Sequence, residues 1–137
     1  MSKRHYSEGL VKILEYGLVF GVGAVVYTLI EILWRGYTHW SMALTGGFCL
    51  SVLYYMNTHL YVPFVVKCLC GAVAITVIEF IVGCIVNLMF HKAVWDYSTL
   101  KYNLMGQICL RFSIMWFALC IPAYLICDLI RKYIPFP

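Results

Sequence analysis

Four long apolar runs, separated by short polar or aromatic stretches, divide the chain at about residues 11–34, 41–62, 63–90 and 108–130. A helix of about 20 apolar residues crosses roughly 30 Å of hydrocarbon, so the pattern predicts an all-α membrane protein of four transmembrane helices. Two of the connections are too short for anything but turns. The third, residues 91–107, places Trp95, Asp96, Tyr97 and Ser98 between Lys92 and Lys101, a mixture suited to the membrane–water boundary. The whole of 1–137 therefore reads as a single membrane domain with one outer aromatic loop.

Within this pattern, individual residues predict how the helices meet. The first run carries Gly17 and Gly21 four residues apart, a spacing that lets another helix approach closely. Glu31 and Arg35 are also four apart and can pair on one face, and Trp34, Tyr37 and Trp40 mark an interfacial belt. The second run has Gly46 and Gly47 near its start and ends in Asn57, Thr58 and His59. Pro63 suits the first turn of the third helix, where its missing N–H is no loss. Gly71, Ile75, Glu79, Gly83 and Asn87 recur every four residues and trace one narrow polar face of that helix. At 28 residues the third run exceeds a perpendicular crossing and is expected to tilt or project. The fourth run contains Pro122, a potential kink, and Asp128 near its end.

An internal repeat overlies this order. Gly23–Glu31 reads GAVVYTLIE and Gly71–Glu79 reads GAVAITVIE, six of nine positions being identical. Further on, Gly46, Cys49 and Leu50 match Gly106, Cys109 and Leu110, at an offset twelve residues larger. The expected arrangement is two duplicated helical hairpins related by an axis along the membrane normal. It makes Glu31 and Glu79 equivalent and sets Ser51 opposite Arg111.

Composition agrees with a membrane origin: 64% of residues are hydrophobic, 12% are charged, and the mean hydropathy is +0.87. The first run is too long for a signal-peptide core and has no small-residue cleavage pattern after it, so it reads as a retained helix. The net charge of +4 lies at helix ends, suiting anionic headgroups and giving no reason to expect nucleic acid. Lys3, Arg4, Lys12, Lys67, Arg131 and Lys132 fall on the side of the termini, and Arg35, Lys92 and Lys101 on the other, so both termini are expected in the cytoplasm. The seven cysteines sit almost wholly in apolar runs and lack the spacing of a zinc site. His39, His59 and His91 share no ligand spacing either, so neither metal nor cofactor is expected.

Ionisable side chains within apolar runs are the candidate chemistry, because each costs about 2.5 to 3.5 kcal/mol at mid-membrane and has to face protein or water. Arg111 is expected to pair with Glu79, Glu31 or both, supported by Asn87, Gln107 and Asn103. Such a cluster serves as an ion or substrate path, or as a buried charge group that fixes which helices meet. Asp96 is expected to cap a short interfacial helix beginning at Tyr97. No GxSxG, HExxH or GxxxxGK[ST] occurs, so no enzymatic activity is expected, and any ATP-driven role requires a separate ATPase subunit.

The run EFIVG from Glu79 to Gly83, with Asn87 and Phe90, then WDYS from Trp95 to Ser98 and NLMGQICLRFSIMW from Asn103 to Trp116, resembles a family of small bacterial membrane proteins described as Putative ABC-transporter type IV. The resemblance covers about Gly71 to Ile130. It implies a multi-pass protein of the bacterial cytoplasmic membrane with a role in transport. The expectation is a transport-related membrane subunit, or a homo-oligomeric channel or carrier, moving a small solute or ion past the Glu/Arg cluster. The alternative is a scaffold whose buried charges specify helix packing.

Overall fold

A computed structural model of the chain describes residues 2–36, 39–92 and 94–134, with side chains from residue 9 onward. The side chains of Lys3 and Arg4, the belt residue Tyr37 and the last three residues lie outside this range. Four α-helices follow in order: α1 Ser2–Arg35, α2 Trp40–His59, α3 Phe64–Gly83 and α4 Leu110–Tyr133. A π-helical segment, Cys84–Met89, continues α3. Before α4 comes a minimal antiparallel pair, β1 Asn103–Leu104 and β2 Ile108–Cys109, with Asn103 opposite Cys109 and Leu104 opposite Ile108. The architecture is all-helical, as expected, and this minimal hairpin moves the start of the last helix to Leu110.

Three of the helical segments are long and apolar enough to cross a membrane: Gly9–Arg35, Phe64–Met89 and Leu110–Tyr133. The 20-residue α2 has the length but is less apolar, diluted by its glycines, hydroxyls, Asn57 and His59. Contacts of Tyr16 with Tyr54 and of Gly23 with Gly46 and Leu50 show that α2 runs back along α1. Thr76 beside Ser113, and Lys67 beside Tyr124, show α4 running back along α3 in the same way.

The interior consists of three apolar clusters. Val19, Leu50, Tyr54, Cys127 and Ile130 join α1, α2 and α4, and Leu53, Cys68, Ile75, Cys120 and Tyr124 join α2, α3 and α4. Met42, Val94 and Trp95 seat the 91–107 loop on the bundle. The cysteines are free thiols, and among the described residues no group of His, Cys, Asp and Glu is arranged to hold a metal.

Glycines set the helix spacing, Gly23 and Gly71 among them. A Cβ at Gly23 would lie 2.6 Å from Leu50 Cβ and 2.7 Å from the Gly46 carbonyl oxygen, and one at Gly71 would lie 2.8 Å from both Cys120 Sγ and the Tyr124 hydroxyl. Close approach of α1 therefore runs through Gly23, whereas Gly17 and Gly21 have nothing within 4 Å. The interior face of α1 is Glu15, Val19, Gly23, Tyr27 and Glu31, five residues spaced by four. Gly17 and Gly21 fall outside that row. On α3 the expected face is the interior one: Gly71, Ile75, Glu79 and Gly83 are all buried.

Gly23 and Gly71 both occupy tight helix crossings, but Gly46 lies inside α2 while Gly106 lies in the loop with φ +73°. Ser51 is likewise inside α2, whereas Arg111 is the second residue of α4. The Gly46–Gly106 correspondence is thus one of sequence without a common backbone state.

Gly23→Ala is expected to destabilise the protein by about 1–3 kcal/mol through overpacking against Leu50 and the α2 backbone. Gly21→Ala, where the space is open, is expected to be neutral or to stabilise by up to about 1 kcal/mol through helix propensity. Unfolding of the purified protein in detergent, followed by circular dichroism, compares the two.

Candidate functional site

The interior row of α1 and the corresponding row of α3 each bring a carboxylate towards the loop end of the bundle. Glu31 Oε2 lies 2.6 Å from Arg35 Nε, and its Oε1 accepts a hydrogen bond from the Tyr27 hydroxyl at 3.1 Å. The expected Glu31–Arg35 pair is therefore made. Arg35 also donates to the Val94 carbonyl at 2.7 Å and so ties α1 to the loop.

Glu79 is only 5% exposed and has a different environment. It accepts from the Tyr97 hydroxyl at 3.3 Å and from Trp116 Nε1 at 3.4 Å, both neutral donors. Among the described residues no cation pairs with it. Tyr97 is held by stacking on Phe112, with centroids 4.8 Å apart and planes inclined by 14°. Burial, and after it the nearby Glu79 carboxylate, push the Tyr97 phenol up, so that it remains a proton donor. The rings of Tyr27 and Trp116, 6.0 Å apart, stand between the two acids.

A polar clamp holds the loop over these groups. Asn87, in the π-helical segment, donates to Gln107 Oε1 at 2.8 Å and accepts from the Val94 N–H at 2.7 Å. Trp95 Nε1 donates to the Gln107 carbonyl at 2.9 Å, and Gln107 Nε2 donates to the Met105 carbonyl at 2.9 Å. Asn103 serves the loop alone: it donates to the Leu100 carbonyl at 2.8 Å and accepts from the Gly106 N–H at 3.1 Å. His91, Tyr102 and Met105 all have φ near +55°, a conformation that strains a side-chain-bearing residue and persists only where its surroundings enforce it. Gly106 is required twice over, by its positive φ and because a Cβ there would lie 2.9 Å from Asp96 Oδ1.

Two expectations are corrected here. Arg111 does not join the acids: it is exposed in the first turn of α4 with its guanidinium 5.9 Å from the Phe112 ring, and among the described residues it makes no ion pair. Residues 108 and 109 are taken up by the hairpin, so the helix begins later and Arg111 falls at its open end. Nor does Asp96 cap a helix. Its Oδ1 accepts from the Ser98 N–H at 2.9 Å, within a turn closed by Leu100 N–H to the Tyr97 carbonyl at 2.9 Å.

The opposite end of the bundle holds an acid that the sequence pattern did not single out. Glu15, 1% exposed, accepts from the Tyr54 hydroxyl and lies 3.3 Å from Arg131 and 3.4 Å from Lys12. Its signal in the sequence was the four-residue row that it shares with Val19 and Gly23. Tyr27 was overlooked similarly, although it stands at one of the three positions where the two repeats differ.

A family model described as Putative ABC-transporter type IV matches residues 2–135. The chain belongs to this family. No curated protein and no solved structure matches it. Membership over almost the whole chain, with helices able to span a membrane, makes the protein a transport-related membrane protein. In this member of the family, Glu31 and Glu79 flank the Tyr27 and Trp116 rings, Asn87 and Gln107 clamp the loop, Asn103 organises it from within, and Arg111 stands apart.

Asn87→Ala leaves the Gln107 amide oxygen and the Val94 N–H without their partner, and is expected to cost about 1–3 kcal/mol and to expose the loop to protease. Limited proteolysis at 91–107 reads this directly. The hydrogen bonds from the Ser98 backbone, then from its side chain, hold the Asp96 carboxyl below the usual carboxylate range. A depressed acid stabilises its turn above its unfolded-state pKa and loses that contribution as pH falls through the folded value. The protection of the Ser98 amide, its exchange rate relative to that of an unstructured amide at the same pH, is therefore expected to fall on acidification in the native protein, and to change much less in Asp96→Asn.

Proposed function

We propose that the chain is the membrane-embedded part of a transport system, in which a small solute or ion passes Glu79 beneath the outer loop. The observation that carries this reading is a buried carboxylate inside a spanning segment whose hydrogen bonds come from neutral groups alone. An intramembrane acid of this kind is costly to keep and marks substrate or ion pathways. Asn87, Gln107 and Trp95 hold the loop as a cover, and Glu31, satisfied by Arg35, shapes the site from across the bundle.

In this reading α2 is a fourth crossing, since it runs back along α1 between two spanning segments through links of a few residues. Both termini then lie on the same side, the cytoplasmic one by the distribution of Lys and Arg. The protein resides in a bacterial cytoplasmic membrane, acts without enzymatic activity of its own, and works as a homo-oligomer or with a separate ATPase subunit. The open faces at Gly17 and Gly21 support self-association, because small residues on a lipid-facing helix admit a neighbour.

A second reading has its own support: Glu15 and Glu31 are both satisfied by basic residues within the protein and join separate parts of the fold. A scaffold would use its acids in this way. The two readings separate in proteoliposomes. Transport predicts cation flux that falls about tenfold or more in Glu79→Gln, the loss of one charge-assisted contact, while Arg111→Leu leaves it unchanged. A scaffold predicts no protein-dependent flux at all, with Glu79→Gln assembling normally. Native mass spectrometry of the assembly in mild detergent shows whether an ATP-binding subunit accompanies it.

A further inference from the structure

Between its two ends the bundle is open on one side. α1 and α4 meet at Glu15 with Arg131 and at Tyr27 with Trp116, and between these contacts a cavity of about 150 Å³ enters the interior. Tyr27, Ile30, Cys49, Ile75, Trp116 and Pro122 are among its lining, which is almost wholly apolar. Its mouth lies between helices that both carry spanning segments, with Ile30 and Pro122 exposed beside it. Such a groove is reached from the acyl chains.

The inner end of this groove adjoins the unpaired acid. Ile75 is one helical turn before Glu79, and Trp116, which lines the groove, donates its indole N–H to Glu79. Of the three interior glutamates, Glu15 faces Arg131 and Lys12, and Glu31 faces Arg35, but Glu79 has only Tyr97 and Trp116. An apolar groove that ends at two aromatic rings, one of them hydrogen-bonded on its far side to a carboxylate without a counter-charge, is complementary to one kind of ligand. The body of that ligand is apolar, and its single positive charge is delocalised or alkyl-shielded, so that ring faces and a desolvated carboxylate hold it better than water does. A bare metal ion finds too few oxygen ligands here, and an anion meets Glu79.

We infer that the groove between α1 and α4 is a bilayer-accessible binding site for an amphiphilic organic cation, with its charge placed against the rings of Trp116 and Tyr27 and drawn there by Glu79 behind them. This rests on the transport reading for its purpose but not for its test, which is equilibrium binding. The cavity holds on the order of ten water-sized units, which matches an aromatic ammonium of similar heavy-atom count.

The probe is benzyltrimethylammonium, with neopentylbenzene as its uncharged isostere, titrated into the purified full-length protein in nanodiscs. Binding is followed by tryptophan fluorescence and by peptide-resolved alkylation of Cys49, which lines the groove, with Cys70 and Cys84 outside it as internal controls. Saturable binding is expected, with protection of Cys49 alone and a preference for the cation over the isostere of roughly tenfold, the scale of one desolvated cation–π contact. Glu79→Gln is expected to reduce that preference, and Val26→Phe, which fills the groove, to weaken both ligands. Because Cys49 protection is read on the unmodified sequence, the result stands even if a variant fails to fold. Equal affinity for cation and isostere, or protection of Cys70 and Cys84 as strongly as Cys49, overturns the inference. Cation flux with no binding in the groove would leave the transport reading intact and sink this one; groove binding without flux would do the reverse.

Discussion

A carboxylate inside an apolar bundle has to find its partners within the protein, because lipid offers none. Three such groups set the layout of this molecule. Glu15 is neutralised where α1 meets the end of α4, and Glu31 where α1 meets the loop. Glu79, midway across the bundle from Glu31, receives hydrogen bonds but no charge. The first two fasten the ends of the structure. The third is left as a localised demand for positive charge, and the candidate site is built round it.

The loop owes its shape to the same constraint. Backbone that leaves a helix and packs against the bundle must satisfy its buried polar groups locally. Asn87, Asn103 and Gln107 supply side-chain partners for exposed N–H and carbonyl groups, and the strained φ angles at His91, Tyr102 and Met105 show how tightly the path is prescribed. Asn87 reaches the loop from a π-helical segment, whose wider turn displaces side chains from the ordinary helical row. The outcome is a cover fixed to α3 from below and to α1 through Arg35.

Packing of the helices follows a different rule. With no hydrophobic gain between apolar helices in lipid, close backbone approach supplies much of the adhesion. Gly23 and Gly71 provide it at equivalent places in α1 and α3, while buried Cys68, Cys120 and Cys127 fill the remaining space as small apolar groups. Between those crossings α1 and α4 diverge, and the groove beside Trp116 is the consequence.

The sequence by itself determined the membrane setting, the helix order, the aromatic loop before the last helix, the Glu31–Arg35 pair and the interior face of α3, because these depend on hydrophobic run length and on spacing along one helix. Family membership was likewise legible in the WDYS and NLMGQICLRFSIMW motifs. The interior face of α1 was harder to read, since the row that marks it carries its acids, Glu15 and Glu31, only at its two ends, and nothing polar beside Gly23 separates it from Gly17 or Gly21. The place of Arg111 was decided by a two-residue hairpin whose pairing is not written in hydropathy, and the isolation of Glu79 by contacts from Tyr97 and Trp116, 18 and 37 residues away. Periodicity reports what a helix presents; which side chain from elsewhere meets it, and whether that side chain carries a charge, is settled only when the helices pack.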